Sequence, residues 1–520
     1  MGIVYQIMNG NIPPENPLLA GHTLLYPWAN HWLISGIVST LNTSPANIFF
    51  TLNLVYLWLT VIIVFKISVF ITSNKKSGIF SAFLAVFGMT FFSRGFLHEK
   101  ALSKLLSILN VHVDERAIPV FFKFVSSGIN QLGILLFALF LYLSIHIFST
   151  KSNSKVRPIY WLGFFLVCTL TTFFYPIYMP ALVASTFACC AVMFLYGKKQ
   201  FLSKIYMTLI CLCVGVSLFV PYLYQIAAEK SDAASISIGI FNPQHLIHNG
   251  LAYILATLPL AIVLVWKREA LRSAFLKKPV AILILATVTI VTAGLFIVMK
   301  GSTTSVEYKY LILTCFTIGI IGGIAFKEFY QSNQILAFLL TTSFLLPISA
   351  VVFMVNSHLP ISQEYREVGK SIITTNPSEQ ALYDWIIQET SSDSVFIDSQ
   401  RKTTVLGQRQ LYIGLDLEGK HSDFYPARLD GWWSESARLL YEQGYPTEIL
   451  ELRRRVVEDI YDRTKTQLND ELFSELSKVA SEHATYIVCR TESIESKFIN
   501  DNRFKKVFSL YNFALYQFST

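Results

Sequence analysis

The sequence predicts a polytopic, all-α membrane bundle of about ten transmembrane helices followed by a small soluble α/β domain. Three observations carry that prediction. The 520 residues are 53% hydrophobic and only 15% charged, whereas an ordinary soluble chain carries about 25% charged residues. The charges are unevenly divided: residues 1–356 hold 23 Lys and Arg against 9 Asp and Glu, and residues 357–520 hold 19 against 25. Apolar runs long enough to cross a hydrocarbon core as helices, about 20 residues each, recur throughout the first part. The compositional break sets the expected boundary, with a transmembrane domain over 1–356 and a soluble domain over 357–520.

Ten stretches qualify as spans: 47–71, 79–97, 129–148, 159–177, 179–197, 205–224, 250–266, 279–299, 310–326 and 335–355. The stretches 159–177 and 179–197 are joined by Tyr175-Pro-Ile-Tyr-Met-Pro180, a tight aromatic and proline hairpin. The connecting loops alternate in charge. One set, with Lys75-Lys76, Lys151/Lys155/Arg157, Lys198-Lys199/Lys204, Lys267-Arg268/Arg272/Lys277-Lys278 and Lys327, carries 14 basic and 2 acidic residues. The other set, 1–46, 94–128, 225–249 and 299–310, carries 8 basic and 7 acidic. Positive charge stays cytoplasmic, so the second set faces outward, and ten spans put 357–520 outside as well. The basic first part is therefore a topology signal, and nucleic acid is not an expected partner.

Residues 24–41 are apolar, but no Lys or Arg precedes Lys66 to hold a cytoplasmic end. They read as an outer-face juxtamembrane helix broken near Pro27. Six of the seven cysteines lie inside apolar runs, and only Cys489 is in the soluble part. That excludes a disulfide framework there, and no Cys/His spacing forms a zinc site.

The middles of the spans contain no Asp, Glu, Lys or Arg, which argues against ion-coupled transport. The ionisable residues able to do chemistry sit in the outward loops. The first reads Asn9-Gly-Asn-Ile-Pro-Pro-Glu-Asn-Pro17, and Glu15 is the only carboxylate in the first 98 residues. The second holds Arg94 and then His98-Glu99-Lys100, which opens an interfacial amphipathic helix with Leu102, Leu105, Leu106 and Leu109. Asp114-Glu115-Arg116 and Lys123 follow. Arg94, Arg116 and Lys123 suit a phosphate at headgroup depth, because a desolvated anion needs fixed donors. The third loop offers Glu229, Lys230, Asp232, His245 and His248 without a ligand set. The fourth places Glu307 and Lys309 just before a span.

In the soluble part, 378–389 reads as a helix capped by Ser378, and 394–399, 409–414, 486–490 and 507–518 read as strands. Residues 434–442 and 446–482 read as charged helices. No GxGxxG, P-loop, Ser-His-Asp or His-Glu-x-x-His pattern occurs, so this domain is expected to bind an acceptor or partner rather than to catalyse.

The order of parts resembles the GT-C superfamily of membrane glycosyltransferases, in its bacterial and archaeal branch. The resemblance lies in Ile12-Pro-Pro-Glu-Asn-Pro17…Ala-Gly-His…Tyr26…His31, in Asp114-Glu115-Arg116-Ala-Ile-Pro-Val-Phe-Phe-Lys-Phe124, in Glu307-Tyr-Lys-Tyr310 and in Trp385-Ile386…Glu389-Thr390…Asp393. It covers most of the chain through short motifs. Set against that family, the chain is expected to lack the usual cytoplasmic end and first span. The resemblance implies an integral protein of the bacterial plasma (inner) membrane with its C-terminal domain extracytoplasmic, serving the cell envelope. It implies a polyprenyl-phosphate-linked sugar donor, membrane lipids as surroundings, and a glycan, lipid or protein acceptor.

The implied reaction is an inverting displacement with a carboxylate general base. Glu15 matches the Pro-acid-Pro position, with Asp114 and Glu115 next in line. Lys309, Arg116 and Arg94 would hold the phosphate, and His22, His31, His98, Lys123 and Glu307 would line the substrate. No carboxylate pair is arranged for a metal, so no metal or other cofactor is expected. Two alternatives stay open: a lipid-linked glycan flippase or transporter, and an inactive GT-C-like scaffold.

Overall fold

In lipid every backbone polar group has to be satisfied within the chain, so uncharged Leu/Ile/Val/Phe runs become helices. The structure, a computed structural model, describes residues 1–87, 130–150, 156–228, 236–239, 242–301, 308–335, 376–399, 401–414, 440, 443–461, 470–490 and 492–518. Among the described residues, five helices are long and apolar enough to cross a membrane: Pro45–Thr72, Gln131–Ser149, Pro176–Gly197, Pro279–Val298 and Tyr308–Ser332. Leu202–Ser217 and Val220–Ala227, bent by 47°, make a sixth if they form one span. Pro221, which lacks the N–H that a continuous helix would use, sits at that bend. The protein is thus an integral membrane protein, largely helical, with a small C-terminal sheet domain. Helices Pro158–Phe174 and Pro243–Trp266 fall on two further expected spans. Helix Lys75–Phe87 covers the described part of the expected span 79–97, and 335–355 lies outside the described residues apart from Ile335.

The chain divides into two compact units. One is Phe49–Tyr224 with Ile236–Ser362; the other combines Met1–Ile48, Gln225–Ser235 and Gln363–Thr520. In the membrane unit, helix Tyr308–Ser332 packs on Lys75–Phe87, Pro279–Val298 and Pro243–Trp266. Its Gly319-x-x-x-Gly323 face lies against the backbone of Leu84, Ala85 and Ser81 with no room for a Cβ, the small-residue contact that lets membrane helices approach closely. Threonines bond across to Pro279–Val298: Thr289 to Thr317 and Thr314 to Thr292, each at 2.9 Å.

The second unit begins with a short helix, Gly2–Met8, and a hairpin of β1 (Glu15–Asn16) and β2 (Leu19–Thr23). Helix Ala29–Leu41 follows just after Pro27. In the membrane unit β3 (Ile236–Ile238) pairs with β4 (Met299–Gly301). The C-terminal sheet comprises β5 (Val395–Ile397), β6 (Gln410–Leu411), β7 (Thr485–Cys489), β8 (Phe504–Leu510) and β9 (Phe513–Phe518), in the order β6-β5-β7-β9-β8. Its β6-β5-β7 half is parallel and its β7-β9-β8 half antiparallel. Side chains alternate between faces. Val395, Ile397, Ile487 and Cys489 point into one core with Val456, Val457 and Leu476; Phe396, Tyr486, Val488 and Leu515 point into the other, with Leu382, Tyr383 and Ile386. The helix expected over 378–389 runs Pro377–Glu389. Its cap is Asn376 instead of Ser378, the Asn376 side chain accepting from the Glu379 N–H at 2.7 Å.

Candidate active site: the amino-terminal hairpin

Pro13, Pro14 and Pro17 stiffen the backbone around Glu15, and Gly21 takes the positive φ (73°) that the returning strand needs. The Gly21 N–H donates to Glu15 Oε2 at 3.1 Å, which orients a half-buried carboxylate on the hairpin. Among the described residues Glu15 makes no other side-chain hydrogen bond.

The hairpin is fastened to the C-terminal sheet through its backbone. The Leu411 N–H donates to Pro17 O (2.9 Å) and the Gly414 N–H to Leu18 O (2.8 Å), so the turn of the hairpin, residues 17–18, is bonded to the chain in and just after the edge strand β6. Leu19, Ala20 and Leu25 complete the core beneath. Tyr445 ties the two limbs together. Its hydroxyl donates to Thr23 O (2.6 Å) and accepts from Asn16 Nδ2 (3.0 Å) and the Leu25 N–H (3.2 Å). Arg453 is 3% exposed and donates from Nη1 to both Ala20 O (2.7 Å) and Tyr412 O (2.8 Å). Its guanidinium lies over the Tyr412 ring at 4.7 Å, and Glu475 is its counter-ion at 3.6 Å.

His22 lies edge-on to Tyr445, with ring centroids 6.1 Å apart. Burial first, then the Arg453 charge, lowers its pKa, against the opposite pull of Glu475 and Glu15. His31 is buried against Tyr26, and burial lowers its pKa to about 3; the imidazole is neutral. In the membrane unit, half-buried Lys309 opens helix Tyr308–Ser332 with Nζ 5.5 Å from the Tyr175 ring centroid and 5.9 Å from that of Tyr308. Tyr175 is itself wedged against Gly133, which has no space for a side chain. Arg94, His98, Asp114, Glu115, Arg116, Lys123 and Glu307 lie outside the described residues. Glu15 and His22 are therefore brought together, with His31 on the helix that follows.

A second polar cluster was not anticipated from the sequence. Asp398 and Arg490 directly follow the parallel strands β5 and β7. Arg490 donates Nε to Asp398 Oδ1 (3.0 Å) and Nη2 to Asp398 Oδ2 (2.9 Å), and Nη1 reaches Glu379 Oε1 (3.1 Å). Lys402 donates to both oxygens of Glu379 (3.1 Å each), and Thr403 to Asp398 Oδ2 (2.6 Å). Burial works against the Arg490 charge, yet Asp398 and Tyr383 hold its pKa above the ordinary arginine range. Every charge here has a partner, and the cluster reads as the polar keystone of the domain. The one signal in the sequence was a charged residue closing each of two apolar strands. Among the described residues no three His, Cys, Asp or Glu side chains converge as a metal site.

Neither a family model nor a curated protein matches the chain. Likenesses exist among solved structures. ArnT from Cupriavidus metallidurans, bound to undecaprenyl phosphate, is 11% identical with a TM-score of 0.46, the match covering 99% of this chain and 93% of that one. The Archaeoglobus fulgidus oligosaccharyltransferase in its apo form is 10% identical with a TM-score of 0.39, covering 94% of this chain and 64% of that one. Archaeal oligosaccharyltransferase AglB from Archaeoglobus fulgidus, in complex with an inhibitory peptide and a dolichol-phosphate, is 11% identical with a TM-score of 0.33, covering 100% and 70%. With such scores and identities these likenesses fix neither a substrate nor any residue's role.

Proposed function

We propose that this protein is a GT-C-type membrane glycosyltransferase that moves a sugar from a polyprenyl-phosphate donor to an acceptor on the outer face. Ten transmembrane helices would lie within 1–356, and 357–520 would stand outside the plasma membrane. The observation that carries the reading is the Glu15 carboxylate, held by the Gly21 N–H on a proline-stiffened hairpin that is itself hydrogen-bonded into the soluble domain. A general base has to be held in position while remaining reachable, and this carboxylate is both.

In the proposed step Glu15 accepts the proton of the acceptor hydroxyl as its oxygen attacks the anomeric carbon from the face opposite the phosphate. The carbon–oxygen bond to phosphate breaks, the phosphate leaves with the electron pair, and the anomeric configuration inverts. Lys309, with Arg116 and Arg94, would stabilise the departing polyprenyl phosphate. The proposed reaction uses no metal.

The test is to incubate the full chain in vesicles with undecaprenyl-phosphate-linked glucose, mannose or galactose and to follow polyprenyl-phosphate release. Release from at least one donor, cut by Lys309→Ala and largely kept by Lys309→Arg, is the expected result. Folded protein that binds none of the donors would favour the transporter or scaffold alternative.

A further inference from the structure

We propose that Arg453 and Tyr445 are positioning residues for Glu15, so that the C-terminal domain is a working part of the transferase. This rests on Glu15 being the base. The hairpin is short, with β1 and β2 of two and five residues, and a two-stranded hairpin of that size is not stable alone in water. Its geometry comes from what grips it. The turn is gripped at Pro17 and Leu18 by the backbone of residues 411–414. The returning limb is gripped at Ala20 by Arg453 and at Thr23 and Leu25 by Tyr445, which also takes the Asn16 amide.

These grips flank the two residues that define the carboxylate. Asn16 is next in sequence to Glu15, and Ala20 precedes Gly21, whose N–H orients it. Arg453 spans the hairpin and the sheet with a single nitrogen, bonding Ala20 O and Tyr412 O at 2.7 and 2.8 Å. A displacement of the hairpin from the sheet has to break that shared contact. A general base works only within hydrogen-bond reach of its proton, and misplacement by about 1 Å costs on the order of a hundredfold in rate. Neither residue needs to touch substrate for its loss to slow transfer.

The experiment uses the full chain in nanodiscs with Tyr445→Phe, Arg453→Lys and, as a control on the exposed face of helix Thr447–Tyr461, which carries Arg453, Arg455→Ala. Two quantities are read: amide hydrogen exchange along residues 15–25, and kcat and KM for the undecaprenyl-phosphate sugar that the wild type uses. The expected result for Tyr445→Phe and Arg453→Lys is exchange on 15–25 at least about tenfold faster, with strands β5, β7 and β9 unchanged. With it, kcat falls about ten- to a hundredfold while donor KM stays within about twofold. Faster hairpin exchange with unchanged kcat would overturn the proposal, as would unchanged hairpin exchange. A loss that appears equally in β5, β7 and β9 would mark both residues as general supports of the fold, which also overturns it. Failure of the Glu15 assignment itself is read separately, from full activity in Glu15→Gln.

Discussion

At the scale of single residues, the strongest interactions are buried charges that meet their partners. Arg490 has 8% and Asp398 0% side-chain exposure, and the pair is bidentate. Arg490→Met strands Asp398 and Glu379 in the interior, and breaking one side of such a pair costs about 3–5 kcal/mol. The outcome expected is a lowered thermal midpoint with early proteolysis within 376–518, measured on the full chain. His31 makes a pH-dependent contribution whose sign is fixed by burial. Burial lowers its pKa from the ordinary 6.5 to about 3, so the unfolded chain binds the proton more readily than the folded one. The contribution is complete above about pH 6.5 and is lost as pH falls from there towards about 3, on the order of 1.4 kcal/mol per unit. A His31→Asn variant should show a flatter fall in thermal midpoint between pH 6.5 and 5 than the wild type.

At the scale of elements, close backbone approach governs the membrane unit. A Cβ on Gly323 would strike the Ser81 backbone, whereas one on Gly294 meets nothing within 4 Å. Gly323→Val should therefore destabilise the detergent-solubilised protein by about 1–3 kcal/mol, and Gly294→Val should leave its thermal midpoint nearly unchanged. The helices themselves were legible in the sequence because apolar runs of span length have few other solutions in lipid. The soluble strands were legible too, with β5 and β7 found on the short apolar runs expected to form them. The docking of the hairpin at β6 was not. It is made by backbone groups of Pro17, Leu18, Leu411 and Gly414, and main-chain hydrogen bonds leave little trace in side-chain pattern. The Asp398–Arg490 pair was hidden for a related reason: both residues were visible, but only the parallel pairing of β5 with β7 makes them neighbours. Glu15 was legible by its isolation as the only carboxylate in the first 98 residues, a long and mostly apolar stretch. Arg453 was lost among the charged residues of an ordinary-looking amphipathic helix.

At the scale of the whole molecule, the division of the chain differs from the compositional break near residue 356. The first 48 residues group with the C-terminal sheet domain, so a domain that lacks any catalytic motif holds the segment that carries the proposed base. Catalysis on this reading depends on a carboxylate at the start of the chain and on the residues near its end that keep it in place. The most direct measurement compares wild type and Glu15→Gln, both shown to be inserted and folded, for release of polyprenyl phosphate from the same lipid-linked sugar. The account predicts a rate lowered by at least about a hundredfold with donor binding retained, because the amide keeps the shape of the carboxylate and cannot take the proton. Transfer at the wild-type rate by Glu15→Gln would contradict it.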